Sequence, residues 1–151
     1  MKATFGAGCF WHVEEAYRKL KGVTKTNVGY MGGDVKNPSY EEVCRKNTGH
    51  IEVCQVEYDE EKISYDKLVK LFFKIHDATQ MNRQGLDIGI QYKSIIFYYN
   101  DEQKKIAEKI LEKEQTKSKK RIVTDIRKAE KFWKAEEYHQ KYLMKRGRNT
   151  C

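Results

Sequence analysis

Between His50 and Ile75 the hydrophobic pattern changes its period from that of a strand to that of a helix. In HIEVCQVEYD, Ile51, Val53, Gln55 and Glu57 fall on one side of an extended segment, and Glu52, Cys54, Val56 and Tyr58 on the other. Ser64 then stands where an N-cap belongs, and YDKLVKLFFKIHD repeats Leu68, Leu71, Phe72 and Ile75 at helical spacing. A strand that runs straight into an amphipathic helix must find that helix a sheet to cover.

The same alternation recurs along the chain. A short strand is expected at Ala3 to Phe5, a turn at Gly6 and Gly8, and a helix through Val13, Ala16, Tyr17 and Leu20 that stops at Gly22. VTKTNVGYMGG reads as a strand and loop. In NPSYEEVC, Ser39 and Glu42 form a capping box for a short helix from Tyr40. About a dozen polar and glycine-containing residues follow His76 without a period, the kind of loop that in a compact domain is usually functional. A strand in YKSIIFYYN, a charged helix from Asp101 to about Ser118, a strand at Ile122 to Ile126 and a final helix over KAEEYHQKYLMKR complete the expectation. The fold class this implies is α/β, a two-layer sandwich whose helices cover one face of a mixed sheet. The 151 residues, 39% of them hydrophobic, suit a single domain over 1–151 with a flexible tail from about 146.

No run approaches the roughly 18 apolar residues of a membrane span, and the first residues lack the apolar stretch of a signal peptide, so the expectation is a soluble, cytoplasmic monomer that binds no membrane. In that setting Cys9, Cys44, Cys54 and Cys151 read as thiols rather than structural disulfides, and their spacing from the four histidines gives no support for a metal site. Residues 103–151 hold 16 Lys or Arg against 7 Asp or Glu. The lysines alternate with glutamates at helical spacing, which favours a solvated helix face over a nucleic-acid partner.

Cys9 stands between glycines and the aromatic pair Phe10 and Trp11, at the start of a helix whose unpaired N–H groups favour a thiolate. The plainer reading is a buried small residue, although two adjacent large rings at a turn cannot both enter one core. Glu52 is a carboxylate within an apolar strand. If its face is buried, desolvation keeps it protonated and able to act as a general acid; if the face meets water, it is an ordinary surface residue. The pattern leaves both readings open. Tyr40, Asp87 and Tyr92 lie in loop-like stretches, where tyrosines can donate hydrogen bonds to an oxygen that gains charge.

Four segments, GCFW, NPSYEEVCRKNTGHIEV, HDATQMNRQGLDIGIQYKSIIFY and AEEYHQKYL, together resemble the peptide-methionine sulfoxide reductase A family, in the right order and over nearly the whole chain. The resemblance implies a ferredoxin-like core and reduction of the S epimer of methionine sulfoxide, free or in proteins, with thioredoxin or a similar dithiol as reductant and no metal or flavin cofactor. It makes Cys9 the nucleophile, Phe10 and Trp11 the wall that receives the S-methyl group, and Glu52 the acid. Tyr40 and Tyr92 become the donors to the sulfoxide oxygen, and Asp87 helps order that polar corner. The reaction leaves a sulfenic acid on Cys9, which a second thiol must resolve. Cys151 is the favoured resolving residue, with Cys54 the alternative. Two positions depart from the pattern: His12 stands where the family usually has glycine, and Ala78 where proline is common.

Overall fold

The computed structural model describes residues 1–45 and 48–147. Strand β1 (Lys2–Gly6) leads into helix α1 (Phe10–Arg18) and strand β2 (Val23–Met31). The short helix α2 (Tyr40–Cys44), strand β3 (Ile51–Tyr58) and helix α3 (Tyr65–Lys74) follow. A two-residue-per-strand hairpin, β4 (Arg83–Gln84) and β5 (Asp87–Ile88), and a 3-10 turn at Ile90–Tyr92 precede β6 (Ile95–Tyr98). The chain continues through α4 (Asp101–Lys117), β7 (Asp125–Lys128), β8 (Trp133–Lys134), a 3-10 turn at Glu137–His139 and α5 (Tyr142–Lys145).

Six strands form one mixed sheet in the order β7-β6-β1-β3-β2-β8. The pairs β1–β3, β1–β6, β2–β3 and β2–β8 are antiparallel, and β6–β7 is parallel. The central four strands are therefore two interlocked βαβ units. The first, β1-α1-β2, leaves a gap that β3 fills, and the second, β3-α3-β6, leaves a gap that β1 fills, which is the ferredoxin-like arrangement.

Alternation along the strands assigns the two faces. Ala3 and Phe5 of β1, Val28 and Tyr30 of β2, and Cys54 and Val56 of β3 share a core with Phe10, Val13 and Tyr17 of α1, Leu68, Val69 and Phe72 of α3, and Ala107 and Ile110 of α4. At its centre the Phe5 and Tyr17 rings stack at 4.9 Å, and the Tyr17 hydroxyl donates to the Leu68 carbonyl at 2.8 Å, joining α1 to α3. The opposite face carries a smaller cluster of Met31, Ile51, Val53, Ile95 and Phe97, closed by Ala129 and Phe132. His12 also belongs to this scaffold. Its Nε2–H donates to the Ile75 carbonyl at the end of α3, at 3.2 Å, a helix-to-helix link that a glycine there would lack.

The seventh strand begins later than the expected Ile122, because the Val123 N–H donates to the Ala78 carbonyl and the sheet register starts where Asp125 lies beside Ile95. The expected final helix is replaced over most of its length by β8, the 3-10 turn and a residue with positive φ, Lys141 at 51°. Buried polar side chains account for this. The Gln140 amide accepts from the Val28 N–H and donates to the Val28 and Ala135 carbonyls, all at 2.9 Å, while Glu14 accepts the Lys141 N–H at 2.6 Å. These contacts satisfy backbone groups that a helix would have paired internally. Cys151 and most of the expected tail lie outside the described residues. Among those described, no helix is long and apolar enough to cross a membrane.

Two measurements test this packing. Replacing the fully buried Phe5 by alanine should cost about 3–5 kcal/mol in urea unfolding, and a cost below about 1 kcal/mol would contradict its central place. His76 donates from Nδ1 to the Phe72 carbonyl at 2.6 Å and hydrogen-bonds Ser94 Oγ through Nε2 at 2.7 Å. Burial lowers its pKa to about 4. Its unfolded counterpart takes up a proton near pH 6.5, so the stability it contributes is whole above about 6.5 and falls as the pH drops towards 4. NMR titration of the His76 ring should give that low midpoint.

Candidate active site

The turn that delivers Cys9 depends on Gly8. Its φ of +92° suits only glycine, and a Cβ there would lie 2.9 Å from Cβ of Gln84 in the β4–β5 hairpin. Cys9 follows at the N-cap position of α1, where its carbonyl accepts the His12 and Val13 N–H groups at 3.2 and 3.4 Å. The half-buried thiol thus stands at the end of a helix whose first N–H groups point outward, a setting that favours negative charge on sulfur.

Glu52 is 1% exposed, on the same side of the sheet as Cys54 and Val56, which settles the question its strand left open. Its Oε1 accepts the N–H of Phe10, the residue after Cys9, at 3.2 Å. Tyr30 lies opposite it in register on β2. One carboxyl oxygen therefore takes an amide that the first turn of α1 cannot satisfy, and the contact holds the acid beside the thiol.

Tyr40 enters from the first residue of α2, behind the capping box formed by Ser39 and Glu42. Tyr92 enters from the 3-10 turn before β6. Both phenols are pushed well above the ordinary tyrosine range, first by burial and then by the negative charge that Glu52 can carry. Cys44 adds to the effect on both, and Asp87 and Cys9 add to it at Tyr92. These two phenols stay protonated near neutrality and remain donors. The interactions also place Cys9, Cys44, Glu52, Tyr40 and Tyr92 in one neighbourhood. Asp87 is set at its edge, exposed on the hairpin.

An aromatic wall borders the polar corner. Phe10 is fully buried, with its ring 5.8 Å from Tyr30, 6.3 Å from Tyr40 and 5.3 Å from His139. Trp11 turns the other way, half-buried, stacked on Tyr142 at 3.8 Å and donating from Nε1 to His139 Nδ1 at 2.9 Å. Glu136 supports the wall from behind, accepting the Tyr30 hydroxyl and the Tyr40 N–H, each at 3.2 Å. Burial opposes its ionisation, but its own backbone N–H, the Tyr40 N–H and the Tyr30 hydroxyl together outweigh burial and hold its carboxyl below the usual range. Sequence reasoning assigns no role to Tyr30, Glu136, His139 or Tyr142. Three of them sit in AEEYHQKYL, and reading that stretch as one helix hides the fact that its side chains turn towards α1.

The other thiols are placed differently. Cys54 is sealed in the core between Phe5 and Val28, and burial raises its thiol well above the ordinary range. Cys44 is half-buried and hydrogen-bonded with Tyr40. Chemically, the arrangement joins a thiol at a helix N-terminus, a buried carboxyl, two protonated phenols and an apolar wall. That set suits attack on an atom whose oxygen substituent must be protonated as it leaves. Gly8→Ala should displace Cys9, lowering its alkylation rate by iodoacetamide at least severalfold; an unchanged rate would mean that this turn does not set the thiol.

A family model described as peptide methionine sulfoxide reductase matches residues 1–151. The peptide methionine sulfoxide reductase MsrA of Geobacter metallireducens is 55% identical over 152 residues, covering 99% of this chain and 94% of the relative. Reduced Mxr1 from Saccharomyces cerevisiae superposes with a TM-score of 0.94 at 38% identity, covering 100% of this chain and 88% of that one. Mxr1 in complex with Trx2 gives a TM-score of 0.67 at 28% identity, over 94% and 84% of the two chains.

Proposed function

The chain belongs to the peptide methionine sulfoxide reductase family, which reduces methionine sulfoxide by thiol chemistry, and we propose how its residues divide that work. Cys9, as thiolate, attacks the sulfoxide sulfur. Glu52, neutral in its buried position, gives a proton to the departing oxygen, and Tyr40 and Tyr92 hydrogen-bond the same oxygen as its charge grows. A neutral carboxylic acid can accept the Phe10 N–H through Oε1 while carrying its proton on Oε2, so the structural contact and the chemical role are compatible. Asp87, electrostatically coupled to Tyr92, orders the outer side of this corner.

The observation that supports this reading is the hydrogen bond from Phe10 N–H to Glu52, which ties the buried carboxyl to the residue next to the Cys9 thiol. Phe10 and Trp11 receive the methyl group. With methyl, oxygen and attacking sulfur each given a separate place, a pyramidal sulfoxide fits in one configuration only, and we assign it as the S epimer. The main chain of the substrate faces outward, so both free and protein-bound methionine sulfoxide can enter.

Attack joins Cys9 Sγ to the substrate sulfur as the protonated oxygen leaves; a water oxygen then adds to Cys9 Sγ and the S–S bond breaks with its electron pair on the substrate sulfur, releasing methionine and leaving Cys9 as a sulfenic acid. A second thiol then condenses with it, forming a disulfide and water, and a dithiol reduces the disulfide. Mxr1 has been captured with Trx2, and thioredoxin is the reductant here. We assign resolution to Cys151. Cys54, the other candidate, is fully buried with a thiol that burial keeps protonated, so it is a poor attacker without local opening. Reduced thiols of this kind belong in the cytoplasm.

Cys9→Ser should abolish single-turnover release of methionine, and retained release would sink the assignment. Glu52→Gln, which keeps a donor, should lose less than about tenfold in single-turnover rate, whereas Glu52→Leu should lose about a hundredfold or more. Equal, mild losses would remove Glu52 from the chemistry. Cys151→Ser should leave the first turnover intact and stop the accumulation of an intramolecular disulfide.

A further inference from the structure

Four of the eight large apolar side chains exposed among the described residues fall in one stretch: Met81, Leu86, Ile88 and Ile90. None of the four belongs to either core cluster or packs against one. Leu86, in the two-residue connection of the β4–β5 hairpin, is 97% exposed. Gly85, with a φ of +60°, supplies the bend there, so the turn makes no demand for leucine beside it. Hairpin tips ordinarily carry polar residues, and a cluster of exposed apolar ones marks a binding surface.

Polar contacts hold the hairpin in place. The Gln84 amide accepts the Asp77 N–H at 2.8 Å and donates to the Asp77 carbonyl at 2.9 Å, and the Gly85 N–H donates to Gln80 Oε1 at 2.7 Å. Register then fixes which way the side chains face. Gln84 and Asp87 are partners and share one face, which Gln84 turns to Gly8, the residue before Cys9. Arg83 and Ile88 are partners on the opposite face, and Leu86 stands at the tip. A polar side thus adjoins the catalytic turn, with an apolar edge outside it.

Continuity with the place where the sulfoxide enters selects the occupant. On the aromatic side of the site Trp11 is already covered by Tyr142, stacked at 3.8 Å, whereas on the hairpin side Leu86 is left bare. Four side chains fall well short of the roughly 800 Å² per partner that a stable protein interface buries, but they match one or two residues of an extended chain. Methionine is most often an interior residue, so when its segment unfolds the residues next to the sulfoxide are commonly apolar. We propose that Leu86 and Ile88, with Met81 and Ile90 beside them, form a docking surface for the apolar residues that flank an oxidised methionine in an unfolded polypeptide. The proposal rests on the sulfoxide being held beside Cys9.

The test measures kcat/KM, with dithiothreitol as reductant, for N-acetylmethionine sulfoxide and for two methionine sulfoxide peptides, one flanked by Leu and Val and one by Ser and Gly. The wild type should prefer the apolar peptide to the polar one about tenfold, as burial of one or two apolar side chains gives. The double variant Leu86→Ser, Ile88→Thr should lose most of that preference through KM for the apolar peptide, with turnover of N-acetylmethionine sulfoxide unchanged. No preference in the wild type, or a preference the double variant keeps, would overturn the proposal. An equal loss on all three substrates would overturn it too, because the hairpin would then act only by setting the catalytic turn. So would a preference left intact while thioredoxin-dependent turnover or a wild-type dimer is lost, which would assign the surface to the reductant or to a second copy. Cys9→Ser on the same substrates keeps the two readings apart. Methionine release by that variant would sink the mechanism, whereas Cys9-dependent release without a flanking preference sinks the docking surface alone.

Discussion

The first N–H groups of a helix have no partners inside it, and at α1 one of them is buried against the sheet. Glu52 accepts it, and much of the site follows from this contact. A carboxyl is an expensive group to bury, tolerated when a hydrogen bond or a function holds it there. Here it links the middle of β3 to the first turn of α1, so the acid and the Cys9 thiol cannot drift apart without opening the core. Both groups also feel the same positive end of α1, which comfortably stabilises one negative charge. The proposed pairing of a Cys9 thiolate with a neutral Glu52 meets that limit, and it is the pairing that displacement of a sulfoxide oxygen needs.

The remaining parts reach this point from distant stretches of chain, and each is anchored through backbone rather than through side-chain packing alone. Glu14, on the buried side of α1, accepts from the Thr26 hydroxyl and the Lys141 N–H, tying helix, strand and C-terminal segment together. Gln140 stands in for a strand neighbour at Val28, and Glu136 collects a hydroxyl from β2 and an N–H from α2. The 135–143 segment is thus a strap that runs across α1 and presses His139 and Tyr142 onto the aromatic wall. The hairpin on the far side is joined more lightly. Gln84 packs against Gly8, while Leu86 and Ile88 face solvent.

The central sheet and its helices are legible in the sequence because their side chains are sorted by burial at fixed periods: Ile51 and Val53 against Cys54 and Val56, or Leu68 with Phe72. Cys9 is visible too, since glycines before a thiol and large aromatics after it suit neither an ordinary core position nor a plain turn. Glu52 can be noticed but not interpreted, because alternation says which residues share a face and not which face is covered. The C-terminal strap misleads for a related reason. Glu136, His139, Gln140 and Leu143 have good helical spacing, yet Gln140 and Glu14 bind the backbone at Val28 and Lys141, and hydrogen bonds between residues more than a hundred positions apart leave no local pattern. The family resemblance covers the acid and the tyrosines.

The most direct test of the mechanism traps the oxidised thiol. Mixing the reduced protein with one equivalent of the S-sulfoxide of N-acetylmethionine in the presence of dimedone, then mapping peptides by mass spectrometry, reports which cysteine becomes the sulfenic acid. The mechanism predicts a dimedone adduct on the Cys9 peptide, formed in step with methionine release and absent with the R-sulfoxide. Methionine release with Cys9 unmodified, or an adduct found first on Cys44 or Cys54, would contradict it.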